Sequence, residues 1–218
     1  MKKILLSVCL SFVLVITMAS CSNSDEVKES QAITETSCGE KILDPAKKYD
    51  AVFETTKGTI VVTLDVKNAP ISTAHLASLI KSGFYNGLTF HRVVTDFVIQ
   101  GGDPKGDGTG SSKCKVISEE PPKSYVQGDF AWAKASTEPA GTAGSQFFIV
   151  TGKNDSRSVE FLNQKTPDID GKLKIQYGYA GKVTKGLDVA LAIEALSNGT
   201  SDSKPTETVK IIKASLKS

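Results

Sequence analysis

The chain of 218 residues is poor in the residues from which most metal and hydrolytic sites are built. It has two histidines and four cysteines, and the cysteine spacing matches no zinc motif. The only histidines that could act as the general base of a serine hydrolase are His75 and His91, and Ser145 lies outside any G-x-S-x-G elbow. Both observations argue against a serine hydrolase. The loop GDPKGDGTGSS has neither Walker nor dinucleotide-binding spacing. We therefore expect no metal and no cofactor.

The chain also lacks an excess of charge of either sign. It carries 26 Lys and Arg against 24 Asp and Glu. Residues 1–20 contribute two of the lysines and no acid, so the rest of the chain is formally neutral. Because neither a basic face nor an Arg-rich helix is indicated, nucleic acid is not expected as a partner. The composition, 39% apolar and 23% charged, is that of an ordinary globular domain.

A long apolar run opens the chain. Lys2 and Lys3 are followed by ILLSVCLSFVLVITMAS, a pattern typical of a secretory signal peptide over residues 1–20. The run ends in Met-Ala-Ser-Cys at Cys21, which resembles the lipobox of bacterial lipoproteins, so we expect Cys21 to carry the palmitate-bearing lipid anchor. The alternative is a plain signal peptide, or an N-terminal membrane helix, with a chance cysteine. The expected location is the extracytoplasmic face of a bacterial membrane, through the lipid anchor.

The next segment, residues 21–48, is polar and predicts a flexible tether. If Cys21 is lipidated, Cys38 and Cys114 are the only internal pair that an exported chain could oxidise. They are 76 positions apart, and closing such a loop would be worth roughly 4 kcal/mol on the chain-entropy model. Two free thiols are equally compatible with the sequence, so the pairing stays open at this point.

Residues 49–218 predict one domain. The run AVFETTKGTIVVTL predicts a β-hairpin, and ISTAHLASLIKSG predicts an amphipathic helix that starts at Pro70 and stops at Gly83. Short β-rich pieces separated by glycine-rich loops follow, a pattern typical of a barrel or sandwich. GLDVALAIEAL predicts a second helix and ETVKIIKASL a final strand. The polar stretch 154–176 predicts a long surface loop.

Two motifs carry a resemblance to a known family. FHRVVTDFVIQGGD at residues 90–103 is followed about forty residues later by GSQFFI at residues 144–149, and GKVTKGLDV lies near the end. Over about residues 49–216 the chain resembles the cyclophilin family of peptidyl-prolyl cis-trans isomerases. The resemblance implies a mainly β fold, a closed eight-stranded antiparallel β-barrel capped by two α-helices, with substrate in a groove on its outer face.

The resemblance also assigns the site. It places catalysis on Arg92 and Gln100, and it places substrate binding on Phe97, Val98, Ala133, Lys134, Phe148, Phe161, Leu162 and Tyr177. Tyr177 and Tyr179 compete for one position, and we favour Tyr177. Many family members carry tryptophan at the position of Phe161 and several carry asparagine at that of Lys134. An always-charged, rigid guanidinium suits the role of Arg92, because rotation about a prolyl bond returns a lone pair to the amide nitrogen, where a fixed donor can stabilise it.

These observations predict an isomerase that assists the folding of exported proteins and acts on X-Pro bonds without covalent catalysis. The expected partners are proline-containing peptides, unfolded exported proteins and, through the lipid anchor, the membrane. We expect a monomer. One alternative is a non-catalytic peptide-binding or chaperone module on the same fold. Another is a surface binding protein that uses the loop 154–176.

Overall fold

The structure is a computed structural model that describes residues 34–200 and 204–218. The predicted signal peptide and Cys21 lie outside the described residues. Within the described ranges, no helix has the length and apolar character needed to cross a bilayer. The elements of these ranges are, in chain order, β1 (Asp50–Thr55), β2 (Gly58–Leu64), α1 (Pro70–Lys81), β3 (Phe90–Val94), β4 (Val98–Gly101), β5 (Val116–Ile117), β6 (Asp129–Trp132), β7 (Thr142–Ala143), β8 (Phe147–Val150), α2 (Arg157–Leu162), β9 (Lys165–Pro167), β10 (Leu173–Ile175), β11 (Tyr179–Lys185), α3 (Leu187–Glu194) and β12 (Ile211–Lys217).

Eight strands form one curled antiparallel sheet, in the order β12-β1-β2-β11-β6-β8-β4-β3. The expected closed barrel is not confirmed, because closure needs a ladder between the first and last strands of the sheet. Among the described residues the edge strands β3 and β12 share no ladder. An isolated bridge between Thr89 and Lys210, with backbone hydrogen bonds between residues 87–90 and 209–211, joins them at one end only. The sheet is therefore an open half-barrel whose edges approach at one end.

The local predictions for the hairpin and the first helix are confirmed. Strands β1 and β2 pair antiparallel, with Thr55 opposite Gly58 across a two-residue turn. Helix α1 begins at Pro70. Proline is tolerated there because the backbone N–H of a first helical residue has no partner within the helix, so its absence costs no hydrogen bond. Gly83 follows its end with a φ of 73°, a left-handed conformation that glycine adopts without steric cost. The predicted second helix and final strand correspond to α3 and β12.

The stretch 154–176 is more ordered than predicted. It contains α2 and the β9–β10 hairpin, so the described chain has three helices rather than the expected two. Ser156 caps α2, its hydroxyl accepting a hydrogen bond from the backbone N–H of Val159 at 3.2 Å. A helix this short is not stable alone. It depends on the burial of Val159 and Leu162 against the sheet, which the local sequence does not show.

The prediction of a flexible tether over residues 21–48 does not hold for residues 34–43, while residues 44–48 are exposed. Residues 34–43, which we call the N-terminal strap, pack against the domain, and Leu43 joins the main core. Cys38 and Cys114 form a disulfide, with Cα atoms 6.0 Å apart, which decides between the two alternatives left open by the sequence. The folded unit therefore begins before residue 49.

Strand alternation divides the apolar residues between two clusters. Ile99 and Phe147 lie in the main core inside the curl of the sheet. Their chain neighbours Val98 and Phe148 lie in a second cluster, which includes Leu162 of α2. Because successive side chains of a strand point to opposite faces, the second cluster lies on the outer face. It forms the floor of the candidate site.

Candidate active site

Arg92 and Gln100 face each other across two neighbouring strands. They are paired in the β3–β4 ladder, so their side chains lie on the same face of the sheet. Arg92 Nη1 donates a hydrogen bond of 3.1 Å to Gln100 Oε1, and its guanidinium carbon lies 5.9 Å from the centre of the Phe97 ring. Both side chains are partly buried. The cationic head of Arg92 is therefore held in place at the edge of an apolar surface.

The hydrogen bonding continues from Gln100 to Gln146. Gln100 Nε2 donates to Gln146 Oε1 at 2.9 Å. Gln146 Nε2 in turn donates to the carbonyl oxygens of Gly108 and Gly110, at 2.9 and 2.8 Å. These bonds orient the Gln100 amide so that its oxygen faces Arg92. The sequence prediction omitted Gln146, although its place in GSQFFI, two residues before Phe148, puts it on the same strand face.

One pocket of about 250 Å³ collects the residues that the sequence predicted. Its lining is Arg92, Phe97, Val98, Gln100, Ala133, Lys134, Phe148, Phe161, Leu162 and Tyr177. Strands β3, β4 and β8, the segment after β6, α2 and the chain before β11 each contribute to it. All ten predicted groove residues are thus brought together, while their individual roles in binding and catalysis stay predictions.

Aromatic and aliphatic side chains form the floor and walls of the pocket. Phe148 and Leu162 are almost completely buried, and the Tyr177 ring stands perpendicular to Phe148 with centroids 5.4 Å apart. Phe161 is 54% exposed and lies at the rim. Of the two competing tyrosines, Tyr177 lines the pocket and Tyr179 belongs to the buried cluster. The pocket is thus an apolar socket with an open, aromatic rim.

Burial sets the ionisation of two groups around the pocket. It raises the pKa of Tyr177, against a smaller lowering by the charge of Arg92, so this tyrosine stays neutral at physiological pH. Burial lowers the pKa of Lys134, while Asp168 and Glu138 act in the opposite direction. Lys134 Nζ also donates to the Glu138 carbonyl at 2.8 Å. That contact fixes the lysine head at the border between this pocket and its neighbour, both of which Lys134 lines.

A second, larger pocket of about 360 Å³ adjoins the first. The two share Gln100, Ala133 and Lys134. Lys115 and Glu138, which form an ion pair, also line it. The two pockets therefore form one continuous depression on this face of the sheet.

Comparison with known proteins identifies the class. The profile of the family described as "Cyclophilin type peptidyl-prolyl cis-trans isomerase/CLD" matches residues 51–216. A peptidyl-prolyl cis-trans isomerase of Helicobacter pylori is 39% identical over 123 residues, which cover 50% of this chain and 72% of the relative. Human peptidyl-prolyl cis-trans isomerase-like 1 is 35% identical over 165 residues, 74% of this chain and 89% of the relative.

A solved structure agrees with these sequence relatives. It is a cyclophilin type peptidyl-prolyl cis-trans isomerase of Cryptosporidium parvum, crystallised in the presence of the dipeptide Ala-Pro. The TM-score is 0.59 at 26% identity, covering 78% of this chain and 99% of that one. The chain therefore belongs to the cyclophilin-type peptidyl-prolyl cis-trans isomerase family. Its activity is that of the family, cis-trans isomerisation of the peptide bond before proline.

Proposed function

We propose that the proline ring of the substrate occupies the pocket over Phe148 and that Arg92 catalyses rotation of the bond before it. A prolyl peptide bond resists rotation because its nitrogen shares a lone pair with the carbonyl. At the twisted transition state this resonance is lost and the lone pair returns to nitrogen. A donor aimed at that nitrogen stabilises the transition state more than either ground state. The guanidinium of Arg92 is such a donor.

The observation that carries this proposal is the fixed position of the Arg92 head beside an apolar socket. A donor that is already oriented loses little conformational freedom when the transition state forms. Neighbouring apolar side chains lower the local dielectric constant, which strengthens the electrostatic interaction of the donor with the substrate. Gln100 supplies the orientation through its 3.1 Å hydrogen bond to Arg92. Phe148 and Leu162 supply the surface against which the ring is held, so that the rotating part is the residue before proline.

The reaction requires only an oriented donor and an apolar binding surface from the protein. No covalent bond is broken and no electron or phosphoryl group is transferred, so the reaction needs no cofactor. The floor of the pocket sets how firmly the ring is bound, and Arg92 sets the rate of rotation. This division predicts different kinetic effects for the two kinds of residue.

The test is the isomerisation of a short X-Pro peptide by the full chain, followed by NMR exchange or a coupled proteolytic assay. Phe148→Leu should raise KM more than it lowers kcat, because part of the aromatic floor is lost while Arg92 is kept. Phe84→Leu, a partly buried phenylalanine outside the pocket lining, is the matched control and should leave both constants unchanged. No acceleration by the wild-type chain would refute the catalytic proposal and leave the two non-catalytic alternatives, a peptide-binding module and a surface binding protein that uses the loop 154–176.

We further propose that the enzyme works on exported proteins, as a monomer held at a membrane by lipid on Cys21. The proposal is supported by the signal-like run of residues 1–20 and by the Met-Ala-Ser-Cys sequence that ends it. The disulfide between Cys38 and Cys114 also favours an oxidising compartment.

Metabolic labelling with radioactive palmitate tests the anchor. The wild-type chain should incorporate label and sediment with membranes, and Cys21→Ser should lose both properties. Cys9→Ser is the matched control, since Cys9 would be removed with the signal, and it should be labelled as the wild type is. Label retained in Cys21→Ser would refute the lipid anchor.

A further inference from the structure

Four side chains of metal-ligand type meet away from the groove, where the N-terminal strap crosses α1. Cys38 and Glu40 belong to the strap, and His75 lies on α1. The ligand atoms of these three residues all lie within 4.8 Å of one another. Cys114, the disulfide partner of Cys38, adds a second sulfur. None of the four lines the isomerase pocket.

His75 is oriented as a histidine ligand would be. It is 1% exposed, and its Nε2 lies 2.7 Å from the carbonyl oxygen of Gly144. A carbonyl can only accept, so Nε2 carries the hydrogen. Nδ1 then faces Glu40 Oε1 at 2.7 Å. Metal-binding histidines usually donate their second ring N–H to a carbonyl or carboxylate in this way, which fixes the ring and its tautomer.

Glu40 is oriented by the strap itself. Its second oxygen, Oε2, accepts a hydrogen bond from the hydroxyl of Thr36. The Thr36 oxygen accepts in turn from the backbone N–H groups of Cys38 and Glu40, each at 3.2 Å. These bonds fold the strap into a turn that points Cys38 and Glu40 to the same side. The carboxylate and the sulfur are thus positioned by the same local structure.

We infer that reduction of the disulfide turns this cluster into a site for one zinc ion, bound by Cys38, Cys114, His75 and Glu40. A dithiol reductant supplies two electrons and two protons and itself becomes a disulfide, leaving two thiols on this chain. Zinc binding then displaces both thiol protons and the proton between His75 and Glu40. The oxidised chain lacks two of the four ligands, because a disulfide sulfur is not a thiolate.

The ligand set and the spacing suit zinc. Two thiolates, an imidazole and a carboxylate are the donors of tetrahedral zinc sites, with Zn–S near 2.3 Å, whereas calcium and magnesium prefer oxygen alone. Two thiolates on one tetrahedral ion lie roughly 4 Å apart. Cysteines with Cα atoms 6.0 Å apart can reach that separation by rotation of their side chains.

Reductant and metal can both reach the cluster. Cys114 is exposed, so a dithiol can attack the disulfide from solvent. Glu40 lines a surface pocket of about 180 Å³, which gives an ion a route to the carboxylate. Lys41 and Lys81 line the same pocket. With three anionic ligands around a divalent ion, the complex is negative, and these lysines offset its charge.

Cobalt spectroscopy on the full chain tests the inference. Cys9→Ser and Cys21→Ser are introduced so that only Cys38 and Cys114 remain, and a phosphine is used as the reductant because it does not compete for the metal as a dithiol does. The reduced chain should bind one Co²⁺ with the visible absorption of tetrahedral cobalt and a thiolate charge-transfer band, and Zn²⁺ should displace it. The oxidised chain should show neither band. A reduced chain without these bands would overturn the inference.

Two ligand variants separate a built site from a pair of reactive thiols. Glu40→Gln and His75→Asn should each weaken zinc at least tenfold in competition with a chromogenic chelator, because loss of an outer-shell partner alone costs about ten- to a hundredfold and these residues are direct ligands. Glu207→Gln, which alters a carboxylate paired with Lys57 instead, should leave the affinity unchanged. Near-UV circular dichroism of Trp132 shows which variants are folded. If His75→Asn does not fold, the zinc affinity of Glu40→Gln alone decides the test. Parental affinity in Glu40→Gln would show that the thiols alone hold the metal, contrary to the inference.

Discussion

The isomerase groove and the strap cluster are held together in different ways. The groove is built across paired strands, so that Arg92, Gln100 and Phe148 stand side by side in one row of the sheet. The strap cluster joins Cys38 and His75, which lie on separate elements, through a disulfide and side-chain hydrogen bonds. A site built on a ladder leaves a spaced pattern in the sequence. A site built from a strap, a helix and a loop leaves none.

The two regions also come close to each other along the chain. His75 contacts the carbonyl of Gly144, and Gln146, two residues later, anchors the hydrogen-bond chain that reaches Arg92. The strap therefore either supports the groove or serves only the stability of the domain. The activity of Cys38→Ser relative to that of Arg92→Ala distinguishes these two possibilities.

The largest effect is expected for Arg92→Ala. Removing a charged donor from a preorganised site costs about 2.7 to 4 kcal/mol of transition-state stabilisation, or about a hundred- to a thousandfold in rate. Arg92→Lys should recover little, because a lysine lacks the planar fork that Gln100 orients. Turnover on an X-Pro peptide and a thermal melt should be measured for each variant. Full activity in a stable Arg92→Ala protein would contradict the assigned role.

The second effect concerns stability and should leave catalysis intact. Cys38→Ser should lower the free energy of unfolding by about 2 to 4 kcal/mol, since the unfolded chain is no longer cross-linked. Urea unfolding followed by Trp132 fluorescence measures this change. Reduced wild-type chain is the control and should match the variant in the absence of metal. A loss of turnover on a short peptide comparable to that of Arg92→Ala would show that the strap supports the groove.

A smaller loss of activity is expected at the point where the two regions meet. Gln146→Ala frees the Gln100 amide and leaves the Gly108 and Gly110 carbonyls without this donor. We expect kcat to fall about tenfold, which corresponds to about 1.4 kcal/mol, with a smaller change in KM. Gln127→Ala removes a comparable side-chain hydrogen bond outside the pocket, to the Thr151 carbonyl, and should leave kcat unchanged. Equal kcat values in the two variants would remove the positioning role of Gln146.

The smallest effect is a pH dependence of the β9–β10 hairpin. Hydrogen bonds from Lys174 and from the backbone N–H of Ala140 lower the pKa of Asp168 to about 2. A depressed pKa contributes stability that is present above the unfolded value of 3.8 and is lost as the pH falls towards 2. Asp168→Asn should remove this component from thermal melts over that range, while the exposed Asp155→Asn should not. Identical pH profiles for wild type and Asp168→Asn would refute the assignment.

The sequence by itself determined the groove and the elements that carry it. Arg92, Phe97 and Gln100 stand in one short motif and Phe148 in a second, and the resemblance of these two motifs to a known family was enough to assign all four residues to the groove. The β1–β2 hairpin and α1 were likewise predictable, because turn residues, proline and apolar periodicity act over a few positions.

Tertiary structure alone decided the remaining features. The pairing of Cys38 with Cys114, the contact of Glu40 with His75 and the open edge between β3 and β12 all depend on which distant segments meet. The short helix α2 and the strap belong to the same group, since each is ordered by burial against the rest of the domain and neither has a strong local preference. Burial is a property of the whole packed chain, and the free energy that selects these contacts does not appear in any local pattern of residues.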